Sequence, residues 1–301
     1  MFDRSKVVLT VRKNDGGRSF WVELFKYHFV VYTVTYFSNR VYRFIASHDI
    51  KSLSNIPGLW NFAMIFLAVG AILYCVVWEQ MDLHQLGVLF SPKAIIDWLK
   101  GGCYGLIIIC VSVMLAFLTK GFRFSNNLLD VKVFSFAILF FSYIIQGFGE
   151  EMLFRGAFLL STVRKNKPFI AILVSSVYFS IWHHNTNSYG ILPFINLFLF
   201  GVFCAICVFV YDNIWVASAF HTTWNFTQAH IFGVCVSGST PSTSSTLLLS
   251  TVQGNPIISG GDYGMEGSIF TTLVMLIAII ALVFHDKKES WFTGKKREFH
   301  D

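Results

Sequence analysis

Charge is scarce in this 301-residue chain. Asp, Glu, Lys and Arg together make up 13%, about half of the roughly 25% with which a soluble domain covers its surface. That shortage excludes an ordinary water-soluble globule. No framework of loop cysteines exists either: Cys75, Cys103, Cys110, Cys204, Cys207 and Cys235 lie in or beside apolar runs, so structural disulfides are not expected. The one C-x-x-C, Cys204 to Cys207, sits inside a 27-residue uncharged run, where small apolar packing is the expected role rather than zinc or redox chemistry. The first 18 residues are polar and basic, so a cleavable signal peptide is not expected. There is no internal repeat and no segment long enough to form a soluble domain of its own.

What the chain has in abundance is apolar surface. Hydrophobic residues make up 54%, phenylalanine alone contributes 33 residues, and the mean hydropathy is +0.59. Most of the molecule must therefore face lipid. The net charge of +6 is not a nucleic-acid signal, because the basic residues fall in short clusters between apolar runs, as in cytoplasmic membrane loops.

A helix needs roughly 20 apolar residues to cross the hydrocarbon layer. Eight runs are candidates: 20–38, which carries Glu23, Lys26 and His28, then 58–78, 101–119, 133–149, 168–182, 185–211, 213–234 and 268–284. The expected fold is all-α, a polytopic membrane bundle of about eight transmembrane helices with a catalytic core from helices 4–7. With the N-terminus inside, inside segments carry fifteen Lys and Arg against six outside, which puts both termini in the cytoplasm of a multi-pass cell-membrane protein. The Lys120, Arg123 and Lys132 loop runs against that bias. The segment 235–267, rich in Ser, Thr and Gly, reads as an ordered external loop or a re-entrant turn. The expected division is a basic N-terminal segment with a weak first span over 1–57, peripheral helices over 58–130, a catalytic membrane core over 131–285 and a basic tail over 286–301.

Ionisable groups inside spans are costly and mark function. They occur here in three places: Gly149-Glu150-Glu151-Met152-Leu153-Phe154-Arg155, Phe179-Ser180-Ile181-Trp182-His183-His184, and His221-Thr222-Thr223-Trp224-Asn225. Glu151 and Arg155 are i and i+4 with the acid first, the favourable order for a same-helix pair. Glu150 points about 100° away, so it faces something else: water, a histidine or a metal. His221 and Asn225, also i and i+4, converge on one face, and His183 comes from a neighbouring helix. A carboxylate, two imidazoles and a carboxamide on three spans are groups that activate water. The plainer readings are that Glu151 and Arg155 only glue helices together, that His184 and His230 are interfacial, and that His28, His48 and His84 are loop or interface residues.

At these residues the sequence resembles the CPBP family of intramembrane proteases, which includes the type II CAAX prenyl endopeptidases and their bacterial Abi-like relatives. The family pattern E-E-x-x-x-R, F-x-x-x-H, H-x-x-x-N is matched in order and spacing by Glu150-Glu151-x-x-x-Arg155, Phe179-x-x-x-His183 and His221-x-x-x-Asn225. The stretch Gly260–Ser268 is similar to bacterial members in particular, and the resemblance covers about residues 130–285. It implies an endopeptidase acting on a membrane-associated protein or peptide, with partners limited to that substrate and the lipid bilayer, and no nucleic acid. It implies Glu150 as the acid/base, His183 as its partner in activating water, and His221 and Asn225 as holders of the oxyanion or the water. Glu151, Arg155 and Phe179 would support them. A metal-bound water is one form of this chemistry, with zinc on Glu150, His183 and His221. A glutamate-activated water without metal is the other. There is no H-E-x-x-H, so zinc would need one ligand from each of three helices. Peptide maturation, bacteriocin self-immunity and surface-protein regulation are roles that the resemblance implies. A non-catalytic membrane scaffold or immunity protein that retains the fold is the alternative. An ion-coupled transporter is a further one, disfavoured by the lack of a repeat.

Overall fold

The computed structural model describes residues 2, 5–12, 19–47, 57–126, 131–184 and 186–292. His48, the basic stretch 13–18 and the tail end 293–301 lie outside the described residues. Each of the eight apolar runs becomes a helix. After the short α1 (Lys6–Arg12) come α2 (Phe20–Ser47), α3 (Leu59–Trp78) and α4 (Pro92–Leu118). Strand β1 (Phe122–Asn126) leads to α5 (Val133–Arg164). Then follow α6 (Pro168–Trp182), α7 (Ile191–Tyr211) and α8 (Trp215–Phe226), with strand β2 (Leu248–Val252) and α9 (Ile269–Phe292) closing the bundle. The molecule is an all-α membrane helical bundle. Among the described residues, five helices are long and apolar enough to cross a membrane, namely α3, α4, α5, α7 and the Ile269–Asp286 part of α9. The other three fall short of the eight expected spans. α6 is apolar but only 15 residues long, α8 has 12 α-helical residues before its geometry changes, and α2 is long but carries polar groups such as Lys26, His28 and Asn39.

Two boundaries differ from expectation for a physical reason. The fourth run was expected to end at Gly149, where charge begins, yet α5 continues through Glu150 and Glu151 to Arg164. Glu151, Arg155 and Arg164 are paired within the protein and Glu150 is buried there, so these charges do not stop the helix. The stretch Met152–Leu159 is a π-helical turn, and α8 likewise runs on as a π turn over Thr227–Ile231. Such wide turns inside helices are frequent at functional sites.

Lipid offers no hydrophobic drive for helix association, so small residues set the packing. α8 lies at the centre. A Cβ on Gly105 of α4 would come within 2.1 Å of Thr223 Oγ1 and 2.5 Å of the Phe220 carbonyl, and one on Gly147 of α5 within 2.6 Å of Thr222 Oγ1. These glycines bring α4 and α5 against the α8 backbone. α4, expected at the periphery, is thus a direct support of the core.

The segments expected on one side of the membrane do meet. Ser5 Oγ donates to Asp212 Oδ1 at 2.6 Å. Arg12 donates to the carbonyl of Val163 at 3.3 Å and of Asn166 at 3.0 Å, and Arg164 pairs with buried Glu79 at 2.5 Å. At the other end, β1 and β2 form an antiparallel ladder, Phe122 opposite Val252 through Asn126 opposite Leu248, clasping the loop after α4 to the long loop before α9. That two-stranded sheet was not expected. All six cysteines are free, with Cys204 and Cys207 fully buried.

Candidate active site

α5, α6 and α8 bring the three polar motifs together. Glu150 and Glu151 are the last residues of α5 before its π turn, and both are buried. Their side chains diverge, as the 100° step requires. Glu151 Oε1 accepts from Arg155 Nη1 at 3.1 Å and from His221 Nδ1 at 2.9 Å. Glu150 turns to the other side, where its Oε2 lies 3.9 Å from His183 Nε2 and 3.9 Å from His221 Nε2. The two helix starts suggest a depth gap of about 10 Å between His183 and His221 at 1.5 Å per residue, yet both rings reach the same carboxylate oxygen.

Each ring is fixed by its other nitrogen. His183 caps α6, and its Nδ1 lies 2.9 Å from the Phe179 carbonyl. That carbonyl belongs to the last helical turn, which has no intrahelical donor. The carbonyl can only accept, so the ring carries its proton on Nδ1 and turns the Nε2 lone pair toward Glu150. The Glu151 carboxylate fixes the His221 ring in the same way. Glu151 is therefore more than the partner of Arg155, because it also orients an imidazole. Phe179 serves three groups: the Arg155 guanidinium lies 4.5 Å above its ring, and its centroid is 4.8 Å from His183 and 6.2 Å from His221. A cation over a ring in a dry site gains electrostatic stabilisation.

Gln146, one turn before Glu150 on α5, was not anticipated. Its Nε2 donates to Glu150 Oε1 at 3.3 Å, and its Oε1 accepts from Asn225 Nδ2 at 3.5 Å. It thereby links the acid to the carboxamide of the third motif. The i, i+4 spacing from Glu150 was the available signal.

The remaining histidines separate. His184 is exposed. His230, expected at the interface, is buried instead, its Nδ1 2.9 Å from the Ser245 carbonyl, because the long loop before α9 folds back over it. His28 has a partner, the Tyr178 hydroxyl at 2.6 Å.

Glu150 Oε2 is buried and has no hydrogen-bond partner, while two ring nitrogens stand 3.9 Å away. A water molecule within roughly 2.8 Å of both ends of such a gap makes ordinary hydrogen bonds. Zinc fits less well. Bonds of about 2.0–2.2 Å at tetrahedral angles hold their donors roughly 3.3–3.5 Å apart, closer than these. Among the described residues, no group of three or more His, Cys, Asp and Glu side chains is arranged to hold a metal ion.

The site opens into a cavity of about 720 Å³ that reaches between α2, α3, α5 and α6. Tyr32, Trp60, Tyr143 and Trp182 give it an aromatic wall, and Glu150, His183, His221 and Asn225 line its inner end.

No curated protein matches the chain. The Glu-Glu-x-x-x-Arg, Phe-x-x-x-His and His-x-x-x-Asn residues gathered around this cavity all fall within residues 132–227, and those residues match the family model of the Rce1-like type II CAAX prenyl endopeptidases.

Proposed function

We propose that the protein is an intramembrane endopeptidase that hydrolyses a peptide bond of a membrane-associated protein or peptide, using a water activated by Glu150. The observation that carries this reading is the buried, unpartnered Oε2 of Glu150 facing two oriented imidazole nitrogens. With Arg155 already engaged by Glu151, Glu150 is free to act as a base.

In this reading a water held between Glu150 Oε2 and His183 Nε2 attacks the scissile carbonyl carbon as its proton passes to Glu150. The carbonyl oxygen becomes an oxyanion. Asn225 has a second Nδ2–H beyond the one given to Gln146, and His221 when protonated offers Nε2–H, so both can donate to that oxygen. Collapse of the tetrahedral intermediate breaks the C–N bond, and Glu150 returns its proton to the leaving amine. Phe179 and Arg155 hold the rings and the Glu151 charge in place. Because the donor separations are wider than zinc imposes, no step is assigned to a metal. We assign the catalytic core to 131–285, and the excess of Lys and Arg supports placing both termini in the cytoplasm.

The test is a peptide-cleavage screen with the purified full chain, followed by Glu150→Ala, His183→Ala and His221→Ala. Each variant is expected to accumulate in the membrane and to lose cleavage, by 100-fold or more for the acid/base. Full activity in all three would end the enzyme reading. Biological function surviving in Glu150→Gln would support the scaffold alternative.

A further inference from the structure

Between the Glu150 carboxylate on α5 and the Asn225 carboxamide on α8 lies the side-chain amide of Gln146, which lines the same cavity. Packing sets its reach. Gly147, the next residue, lets α5 lie close against α8: a Cβ there would stand 2.9 Å from the Ser218 carbonyl as well as 2.6 Å from Thr222 Oγ1. Across that narrow gap one glutamine spans both helices. Its Nε2 is 3.3 Å from Glu150 Oε1 and its Oε1 is 3.5 Å from Asn225 Nδ2. Both contacts are longer than the usual hydrogen bond, and contacts of this kind tighten when substrate fills a catalytic site.

The three groups fix the direction of the chain. An ionised carboxylate can only accept, so Gln146 must turn its nitrogen to Glu150. The amide is planar, and its oxygen then faces α8. That oxygen also can only accept, so Asn225 must answer with its own nitrogen. Reversing either amide would set oxygen against oxygen. The last torsion of Glu and Asn is soft and roughly two-fold, so nothing internal to these side chains holds them. Among the described residues, Asn225 has no side-chain hydrogen bond other than the one to Gln146. The contact to Glu150 occupies Oε1 and leaves Oε2, which has no hydrogen-bond partner, as the basic oxygen. It also outlasts the proton transfer, because Oε1 still accepts once Oε2 carries the proton.

We propose that Gln146 is a positioning residue for the reaction: it aims Glu150 Oε2 at the imidazoles and holds the Asn225 amide with an N–H, not its carbonyl, free for the developing oxyanion. This rests on the reading of Glu150 as the hydrolytic base, and adds that the base and an oxyanion donor are set together by one uncharged side chain. Its contribution is one of aim, where an error of about 1 Å costs up to ~100-fold in rate.

Full-length Gln146→Met, Gln146→Asn, Asn225→Ala and the Gln146→Met, Asn225→Ala double variant are purified in detergent beside wild type and Glu150→Ala. Each is assayed on a peptide that the wild type cuts. Met keeps the length and unbranched shape of the side chain but neither bond, and Asn keeps the amide but withdraws it by one methylene. Both single variants at Gln146 are expected to lower kcat by about tenfold or more with KM within about twofold, because the lost contacts act on groups used in the transition state. In the Asn225→Ala background, Gln146→Met is expected to cost less than in the wild type, since residues that act as a unit are not additive. Wild-type kcat in both Gln146 variants with Glu150→Ala inactive would overturn this inference and leave the hydrolytic reading in place. A lower melting temperature at unchanged kcat would overturn it equally, as the mark of a purely structural residue. Fully additive losses in the cycle would show that Gln146 does not act through Asn225 and would also overturn it. Full cleavage by Glu150→Ala would instead remove the hydrolytic reading, and this inference with it.

Discussion

The neighbouring acids Glu150 and Glu151 should fail in opposite ways when neutralised. Glu151 is fully buried and accepts from Arg155 and His221. Glu151→Gln leaves Arg155 buried without a counter-charge, and breaking a buried pair in that way costs about 3–5 kcal/mol. At about 2–4 °C per kcal/mol, that corresponds to a fall in melting temperature of roughly 6–20 °C. Glu150 has no charge partner to abandon. Its Oε1 accepts only from Gln146, and its Oε2 faces two ring lone pairs. Glu150→Gln abandons no buried charge partner and should therefore escape the penalty of about 3–5 kcal/mol that falls on Glu151→Gln, while removing a base worth about 100-fold to 10,000-fold in rate. The assay is thermal unfolding of both variants in one detergent, read from tryptophan fluorescence, beside cleavage of a peptide that the wild type cuts. Two variants that melt together, or a Glu150→Gln protein that melts many degrees lower, would refute the division of labour argued from the hydrogen bonds.

Gly105→Ala should be costly although it adds one carbon, because its Cβ would stand 2.1 Å from Thr223 Oγ1 and 2.5 Å from the Phe220 carbonyl. Forcing α4 off α8 should cost about 1–3 kcal/mol, read as a lower melting temperature, and a wild-type melt would contradict the packing. Exhaustive chelation of divalent cations should leave cleavage unchanged, since no step is assigned to a metal; loss of activity restored by added zinc would overturn that assignment. Burial pushes the Glu266 carboxyl above the usual carboxylate range, so the folded protein favours its protonated form. That stability is fully present below the unfolded pKa and is lost as pH rises through the raised one. Glu266→Gln should flatten the decline, and a variant melting curve that tracks the wild type at every pH would refute it.

Much of the site was legible because lipid makes polar residues conspicuous. In a bundle whose runs otherwise avoid charge, the Glu-Glu-Arg, His and His-Asn positions stood out, and helical periodicity alone paired Glu151 with Arg155 while sending Glu150 elsewhere. What stayed hidden depended on contacts far apart in the sequence. Gln146 carries no charge, so it reads as one tolerated amide in an apolar helix until Glu150 and Asn225 are seen on either side. His230 read as interfacial because the loop that buries it joins it through Ser245, 15 residues on. The ladder between β1 and β2 unites segments separated by all of α5 to α8. The end of α5 was misjudged because a charge was taken as the edge of the apolar layer, whereas a neutralised charge lets the helix continue.

The closure of Glu151 and Arg155 within one helix also bears on biosynthesis. Placing an unpaired arginine or acid at the middle of a membrane helix costs about 2.5–3.5 kcal/mol during insertion, and α5 is made before either histidine-bearing helix. Arg155 has its counter-ion four residues earlier on the same segment, so the segment enters the bilayer already neutralised at that point. Glu150 has no such escort. Its imidazole neighbours arrive only with α6 and α8, so the set of groups around it is complete only after the later helices have emerged.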